Sequence, residues 1–540
     1  MIAALEHPPE APLPDRLVFP QLLEEAAGKD GRRPFVTDVF EHRMTYEDLH
    51  RRSLVWATAL EDLGVSRGDT VAVLVRNSAE ALALWLGIAW LGAIEVSINN
   101  EYRGRMLTHA LNTCGAKLGI VEADFLTAIA TVGEGLESLR SLIVIGEEGK
   151  GVPLGRLKVF IASEVLVVPK IVWDRKPPAP HDIACGIYTS GTTGPSKCVL
   201  LPWAQLYASA TGTLPPGDLD SGDCLYIHGP NYHIGGKALP YLMALVDGRV
   251  GIRPRFSRSK FWPDIARFQA TVTTLGAATT KWILDHEAEP EEPRTLRRVM
   301  MAPLTPLSSK FARRFGVQTY TCYSMTELSM PFVGVEWDQE EWRSCGRLRP
   351  GWPGYEARLV DEHDYEVEPG KVGELVVRTR APWALTAGYL NAPDKTAAAW
   401  RNGWFHTGDC FRRDEAGNYY FVDRLKDAIR RRGENISSYE VEAEVLAHPE
   451  VLECAAVAVP ADDGEDEVKV AVVLKPEAKL EPADLVLWLI PRVPRFMVPR
   501  YVEIVASLPR TPTQKVQKSA LKGVGPSVWD REAAGLEVPR

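Results

Sequence analysis

Residues 187–197, IYTSGTTGPSK, bring together side chains that are suited to phosphate chemistry. Hydroxyl groups, two glycines and a closing lysine can surround phosphate oxygens with O–H, backbone N–H and ammonium donors. A mobile surface loop rich in serine, threonine and glycine is the competing interpretation. The residues that a phosphate clasp would use are Thr189, Ser190, Gly191, Thr192, Thr193, Gly194 and Lys197.

Two well-known motifs do not fit this stretch. A Walker A loop needs G-x-x-x-x-G-K-[ST], and counting from Gly191 puts Ser196 where the second glycine belongs. The nucleophile elbow G-x-S-x-G needs glycine two residues before the serine, but Tyr188 stands there relative to Ser190. The stretch therefore predicts neither a P-loop NTPase nor an α/β-hydrolase.

Length and composition indicate a multidomain globular protein. The chain has 540 residues, of which 45% are hydrophobic and 25% charged, whereas a single core rarely grows beyond about 250–300 residues. The net charge of −9 argues against a dedicated nucleic-acid binder.

The sequence predicts a cytoplasmic protein without integral membrane contact. The N-terminus lacks the basic region of a signal peptide and is interrupted by prolines at positions 8, 9, 12 and 14. The longest apolar run, Ala81 to Ile94, falls short of the ~20 residues of a membrane helix and is predicted to be a buried helix. Eight scattered cysteines without C-x-x-C pairs favour reduced thiols.

Alternating strand and helix patterns predict the α/β fold class. Strands such as Val71–Val75 and Leu118–Val121 alternate with helical stretches, which is typical of a largely parallel sheet. Short strands and turns from about 335 to 422 predict a small β-barrel-like subdomain. The predicted domains are a large N-terminal domain (1–422), a hinge (423–426) and a small mobile C-terminal α+β domain (427–540).

Six short motifs follow one another along nearly the whole chain. They are residues 187–197, YSMTE at 323–327, GEL at 373–375, WFHTGD at 404–409, DRLKD at 423–427 and PRTPTQK at 509–515. In this order and rough spacing they resemble the adenylate-forming, acyl-CoA synthetase superfamily. Within it, RRRGENISS at 430–438 is similar to the carnitine/crotonobetaine-CoA ligase branch.

This resemblance implies an AMP-forming carboxylic acid–CoA ligase that uses ATP, Mg²⁺ and coenzyme A. A carboxylate does not acylate a thiol directly because oxide would have to leave, whereas an acyl-adenylate releases AMP. Two alternatives stay open: an adenylation enzyme that loads a carrier protein, and a nucleotide or acyl-adenylate sensor that has lost catalysis. A homodimer is also left open.

The resemblance assigns roles to residues that their own sequence surroundings do not single out. It implies that Thr326 contacts the α-phosphate, Glu327 holds Mg²⁺, and Lys515 reaches the α-phosphate and the carboxylate during adenylation. Without it, Thr326–Glu327 would be a helix N-cap and Lys515 a solvated lysine. The resemblance further implies that Asp409 accepts hydrogen bonds from the ribose hydroxyls, with Arg424 beside it. The alternatives for this pair are a turn carboxylate and a surface arginine. The remaining implied nucleotide contacts are Ala302, Pro303, Tyr323, Ser324 and Met325.

The resemblance also implies a second set of residues for the acid and for CoA. Lys426 is the implied hinge, and His233 the implied lining residue of the acyl pocket, with a core histidine as the alternative. Lys237 could meet a second anionic group of the substrate or face solvent. The other implied acyl-pocket residues are Tyr232, Gly235, Gly276 and Met330, and the implied CoA-binding residues are Gly433, Arg430, Arg431 and Arg432, for which a solvated basic face is the alternative.

Three positions in two segments depart from the family pattern. Gln514 stands before Lys515 where glycine is usual, which narrows the backbone freedom of that loop. Met300 and Met301 replace small glycines, and these two methionines could pack against a purine.

Overall fold

The fold is taken from a computed structural model that describes part of the chain. The described residues are 17–146, 152–167, 173–189, 196–214, 216–285, 295–425, 429–431, 434–436, 438–461, 466–510 and 515–538.

Helices of one to five turns lie between the strands and on their faces. Their bounds are α1 Phe19–Asp30, α2 Tyr46–Asp62, α3 Ala79–Trp90, α4 Gly104–Cys114, α5 Leu126–Ala130, α6 Ala162–Val165, α7 Trp203–Thr213, α8 Gly235–Leu245, α9 Phe261–Phe268, α10 Ala277–Leu284, α11 Pro306–Phe315, α12 Pro393–Ala399, α13 Ser438–Leu446 and α14 Pro482–Leu489.

The strands divide between the large N-terminal part and the smaller C-terminal part. Those before residue 322 are β1 Pro34–Asp38, β2 Arg43–Thr45, β3 Thr70–Leu74, β4 Ile94–Ser97, β5 Leu118–Glu122, β6 Ser141–Ile145, β7 Lys158–Ile161, β8 Ile183–Thr189, β9 Lys197–Pro202, β10 Cys224–Ile227, β11 Arg249–Ile252, β12 Val272–Leu275, β13 Arg298–Met301 and β14 Gln318–Tyr320. Those that follow are β15 Cys322–Met325, β16 Ser329–Val333, β17 Ser344–Leu348, β18 Tyr355–Val360, β19 Val372–Thr379, β20 Gly388–Tyr389, β21 Trp400–Arg401, β22 Trp404–Arg413, β23 Asn418–Arg424, β24 Ile429–Arg431, β25 Glu434–Ile436, β26 Val451–Pro460, β27 Asp466–Leu474, β28 Tyr501–Ile504 and β29 Trp529–Asp530.

Two largely parallel sheets confirm the predicted α/β class. One runs β14-β13-β12-β10-β11-β1-β2 and the other β20-β9-β8-β4-β3-β5-β6-β7. Helix α3 is buried at every position from Ala79 to Trp90 except Glu80, as expected of a helix that is apolar all round. It ends at Trp90, so Ile94, which the sequence placed in this helix, begins strand β4 instead.

The β-rich subdomain begins earlier than predicted. Its sheet, β15-β16-β17-β23-β22-β19-β18 with β21 beside β22, starts at Cys322 rather than near residue 335. Strands β15 and β16 form an antiparallel hairpin that was not recognised because its turn, Thr326 to Leu328, contains neither glycine nor proline. This hairpin carries the YSMTE motif.

The C-terminal part packs against the large part through α13. Its own sheet runs β26-β27-β28-β29 and is covered by α13 and α14. The hydroxyl of Tyr439 on α13 donates to the carbonyl of Leu304 at 2.5 Å, and Lys475 lies 3.4 Å from Asp285. The predicted hinge residue Lys426 lies outside the described residues, and the predicted domain boundary stays a prediction.

Within the described ranges, no helix has both the length and the apolar character needed to cross a membrane.

Candidate active site

Two residues of the predicted phosphate clasp, Thr189 and Lys197, lie on the paired strands β8 and β9. Thr189 at the end of β8 pairs in register with Lys197 at the start of β9. Ser196 is anchored from α4 and the residues before it: its hydroxyl is 3.2 Å from the hydroxyl of Tyr102, and its carbonyl is 3.0 Å from Nε2 of His109. The remaining clasp positions, Ser190, Gly191, Thr192, Thr193 and Gly194, lie outside the described residues.

Thr326 and Glu327 occupy the turn of the β15–β16 hairpin. The alternative that they begin a helix is therefore wrong. The turn is held from two sides, because Gln205 on α7 donates from Nε2 to the carbonyl of Thr326 at 2.8 Å, and the N–H of Thr386 donates to the carbonyl of Glu327 at 3.0 Å. The backbone of Thr326 and Glu327 is thus held by residues that are distant in sequence.

The Glu327 carboxylate is 3% exposed and points to a group of cations. It accepts a hydrogen bond of 3.0 Å from the hydroxyl of Tyr389. Burial raises the pKa of Glu327, while that hydrogen bond and the charges of Lys197 and Lys515 oppose the rise. Lys197 lies 4.1 Å from the ring of Tyr389, so Tyr389 connects the clasp lysine to the carboxylate.

Tyr389 was missed by the sequence analysis. It belongs to the two-residue strand β20, which pairs with β9. The only local signal is a Gly-Tyr pair ahead of a helix, and that pair gives no indication of a contact with a residue 62 positions away.

Asp409 is a buried strand residue, so its interpretation as a turn carboxylate is wrong. It lies in β22 and is 6% exposed. The hydroxyl of Tyr323 donates to it at 2.6 Å, and Nε of Arg424 on β23 lies 3.4 Å away. Burial raises the pKa of Asp409, and Arg424, Tyr323 and Lys515 act against that rise. Arg424 is therefore half-buried beside Asp409 rather than an isolated surface arginine.

The GEL motif positions this segment. The Glu374 carboxylate accepts from the N–H of Gly408 at 3.0 Å and lies 2.9 Å from Nδ1 of His406. Gly408 has φ +69, a conformation that side chains with a Cβ rarely adopt. Glu374 thus holds the bend that aims Asp409 into the site.

Lys515 comes from the C-terminal part and faces the residues described above. The residue keeps exposed surface, but its ammonium group is desolvated, which together with repulsion from Arg424 lowers the pKa of Lys515. Glu327 and Asp409 attract it and oppose the shift. Lys515 therefore lies near two acidic side chains while it stays exposed, and its implied role stays a prediction.

His233 lies beside Lys515 in the predicted acyl pocket. Burial, with a smaller effect of Lys515, lowers the pKa of His233 to about 4, so the imidazole is neutral near pH 7. The ring of Tyr232 is 5.1 Å away, and Gly235 opens helix α8 directly after them. The structure thus brings Tyr232, His233 and Gly235 together next to the catalytic lysine candidate.

Gly276 and Met330 are less closely tied to this group. Gly276 precedes α10 and is exposed. Met330 is buried against α7, where a Cβ added to Gly212 would lie 2.5 Å from the Met330 Cβ. No contact among the described residues connects either of them to His233, so their place in the acyl pocket stays a prediction.

Lys237 is neither solvent-facing nor available to a second anion. It is 2% exposed, its Nζ lies 2.5 Å from Oε2 of Glu95 on β4, and it sits 4.7 Å from the ring of Trp85. Both expectations for Lys237 are therefore wrong, because neither considered that an acid 142 residues away could neutralise it in the core.

Ala302 and Pro303 follow β13 at the edge of the site, and Ser324 and Met325 lie on β15 beside Tyr323.

Met301 is fully buried in the core beneath α11 and cannot pack on a purine. Met300 is half-buried, with its sulfur 3.8 Å from Sγ of Cys322.

Several predicted site residues are not placed. Gly433, Arg432, Lys426 and Gln514 lie outside the described residues, and Arg430 and Arg431 are described only as backbone of β24, paired with β25. Among the described residues, no group of three or more His, Cys, Asp or Glu side chains could hold a metal ion.

Comparison with known proteins agrees with this geometry. A family model described as "AMP-binding enzyme" matches residues 23–390, and one described as "AMP-binding enzyme C-terminal domain" matches residues 440–515. The chain belongs to the AMP-binding enzyme family. Its activity is that of an AMP-forming acyl-CoA ligase, and ATP, Mg²⁺ and CoA are the cofactors of that reaction.

Named relatives and solved structures extend the comparison. The crotonobetaine/carnitine–CoA ligase of Salmonella arizonae is 30% identical over 88% of this chain and 93% of its own length, and that of Proteus mirabilis 29% over 89% and 93%. Similar folds occur in an anthranilate CoA ligase in complex with anthranoyl-AMP (TM-score 0.84, 24% identity, 97% of this chain and 98% of the other) and in a benzoate CoA ligase from Burkholderia xenovorans (TM-score 0.81, 22% identity, 94% and 100%).

Proposed function

We propose that this AMP-binding enzyme activates a monocarboxylic acid in the orientation described here and transfers the acyl group to CoA after its C-terminal domain has turned. The observation that carries the proposal is the position of Lys515, whose ammonium group faces Glu327, Asp409 and His233 from the other domain. This convergence of cation and carboxylates is what the first half-reaction requires.

In the first half-reaction, a carboxylate oxygen of the acid forms a bond to the α-phosphorus of ATP, and the bond to pyrophosphate breaks. Negative charge concentrates at the α-phosphate, where the Lys515 ammonium and the Thr326 hydroxyl act as donors. Asp409 accepts the ribose hydroxyls, and Tyr323 orients it through the 2.6 Å hydrogen bond. His233, neutral at physiological pH, lines the acid without adding charge.

Glu327 fits a Mg²⁺ ion that arrives with the nucleotide. A single carboxylate combined with substrate phosphates and waters is a usual way to bind this ion, and the desolvated Glu327 carboxylate gains from a cation nearby. When bound, Mg²⁺ neutralises charge on the phosphates.

In the second half-reaction, the CoA thiolate attacks the acyl carbonyl and AMP leaves. In the present domain orientation, Lys515 occupies the space through which the thiol would have to approach. We therefore propose that the C-terminal domain turns about Lys426. This turn would expose Gly433, with Arg430, Arg431 and Arg432, to CoA. Interface contacts such as Tyr439 to Leu304 must break in that turn.

The buried Glu95–Lys237 pair supports an acid without a second anionic group. Lys237 lies on α8, two residues after the predicted acyl-pocket residue Gly235, and Glu95 neutralises it. A dicarboxylate would therefore be left with an unpaired charge in a desolvated pocket, which is unfavourable. The named sequence relatives are ligases of crotonobetaine and carnitine, each of which carries one carboxylate.

The test is a panel of monocarboxylic and dicarboxylic acids incubated with ATP, Mg²⁺ and CoA, with AMP, pyrophosphate and thioester each measured. We expect AMP and thioester in equal amounts with at least one monocarboxylate. Adenylate without thioester would favour loading of a carrier protein, and nucleotide binding without pyrophosphate release would favour a sensor. Eight free thiols agree with a cytoplasmic location.

The first prediction concerns the metal. Glu327→Gln keeps the side-chain size and removes the charge, so we expect the Mg²⁺ concentration for half-maximal adenylation to rise by roughly 10–150-fold, the equivalent of a 1.5–3 kcal/mol charged contact. Excess Mg²⁺ should restore part of the rate. Glu341→Gln on the exposed surface is the control. An unchanged Mg²⁺ dependence would remove Glu327 from the metal site.

The second prediction concerns pH. Only protonated Lys515 carries the charge that adenylation uses, and its pKa is lowered from 10.5 by burial and by Arg424. Adenylation should therefore fall as the pH rises through this lowered pKa. Lys515→Arg, slower but charged throughout, should show no such alkaline loss. Identical alkaline limbs in the two proteins would assign the titration to another group.

A further inference from the structure

A cavity of about 340 Å³ lies between the two domains, beside the active site, and Pro303 is common to both. Helix α10 and the residues that begin α11 form one wall, and α13, β26 and the segment around Leu508 form the other. Because each domain supplies one wall, the cavity has this shape only in the present domain orientation.

The walls are mainly apolar. The large domain contributes Trp282, Pro303 and Leu307, and the C-terminal domain contributes Leu446, Leu452 and Leu508. Such a lining suits a hydrocarbon or aromatic body, and 340 Å³ lies in the range of small-molecule sites.

Among the described residues, the charged side chains around the cavity form three groups. Arg510 pairs with Glu453 at 2.7 Å, and Glu442 with Lys518 at 2.8 Å. At the α10 end, by contrast, Lys281 and Lys475 both lie 3.4 Å from the same carboxylate, that of Asp285.

Lys281 is well placed to meet an anion in this cavity. Its side chain is 8% exposed and lines the cavity. It shares the Asp285 carboxylate with Lys475, a residue of the other domain, each at 3.4 Å. An incoming carboxylate would meet the Lys281 ammonium at this end of the cavity.

We propose that this cavity is an effector site for a monocarboxylate with an apolar body, held by Lys281 and by the walls of both domains. The predicted acyl-pocket residues Tyr232 and His233 do not line this cavity, although Ala277, next to the predicted residue Gly276, does. Its occupant would hold the two domains together in the adenylation orientation.

The consequence follows from linkage and rests on the proposed function. A ligand shifts an equilibrium toward the state that it binds better. Since the cavity exists only in the adenylation orientation, an occupant opposes the domain turn and slows thioester formation from a supplied acyl-adenylate. The same occupant leaves Lys515 in place for adenylation.

The probe is 2-naphthoate, an aromatic monocarboxylate small enough for the cavity. Its binding is measured by calorimetry and by quenching of Trp282, and each half-reaction is measured with and without it. Lys281→Met removes the cation, and Ala447→Phe fills the cavity from the half-buried end of α13. Lys310→Met, an exposed lysine on α11, is the matched control.

We expect wild type and Lys310→Met to bind one more equivalent of 2-naphthoate than the two cavity variants, or to bind it at least tenfold more tightly. 2-Naphthoate should inhibit thioester formation only in wild type and Lys310→Met. Equal binding and inhibition in all four proteins would overturn the site, as would inhibition overcome by CoA in all of them. If Lys281→Met fails to fold, Ala447→Phe decides. Cavity-dependent binding in a protein that forms no thioester would contradict the proposed function and leave the site standing.

Discussion

Replacing Lys515 by alanine is expected to slow acyl-adenylate formation by about two to three orders of magnitude, the equivalent of 3–4 kcal/mol of transition-state stabilisation. Lys515 is the cation that the C-terminal domain directs at Glu327 and Asp409, and its charge acts where negative charge develops. Thioester formation from a supplied acyl-adenylate should change far less, because the domain turn removes Lys515 from the site.

The two half-reactions are measured separately under single-turnover conditions. Lys522→Ala, a substitution of another C-terminal lysine with no assigned role, is the control for nonspecific effects. If Lys515→Ala slowed both half-reactions equally, the assignment of Lys515 to one step, and with it the two-orientation mechanism, would be wrong.

The second large effect is expected at the buried ion pair. Glu95→Gln leaves Lys237 buried without its counter-charge, although Ser97 still offers a hydrogen bond to the new amide. Breaking a buried pair in this way costs about 3–5 kcal/mol, which corresponds to a melting temperature lower by about 10 °C for a cooperative unit of 150–250 residues. Calorimetry measures the shift.

The double variant Glu95→Gln/Lys237→Met is the informative control. Removing both charges together leaves no buried ion to desolvate, so most of the lost stability should return. If the double variant melted as low as Glu95→Gln alone, the loss would come from disturbed packing around Trp85 rather than from the unpaired lysine.

The features that could be predicted from the sequence depend on residues that lie close together along the chain. The alternation of strands and helices follows from apolar periodicity, so the α/β class and strands such as Val71–Val75 and Leu118–Val121 could be predicted. The motifs at 323–327 and 404–409 could be recognised because their residue types and order resemble a known family. What these residues contact could not be read from either source.

The tertiary structure decided the surroundings of each charge. Asp409 is buried because β22 lies inside its sheet, and Lys237 is neutralised because α8 brings its ammonium group within 2.5 Å of Glu95 on β4. Tyr389 reaches Glu327 only because β20 joins the edge of the β9 hairpin. Each of these contacts joins residues at least 62 positions apart or depends on strand order, and local propensity carries no information about either.

The sequence by itself determined the chemistry available to this protein: a hydroxyl-rich clasp, a threonine–glutamate turn, a ribose-binding aspartate candidate and a C-terminal lysine, in the order of an adenylate-forming enzyme. Only the tertiary structure decided that Lys515 lies near Glu327 and Asp409, and that an apolar cavity opens between the domains. The physical reason is that desolvation and charge pairing depend on distance through space, which a chain acquires only when its sheets and domains have packed.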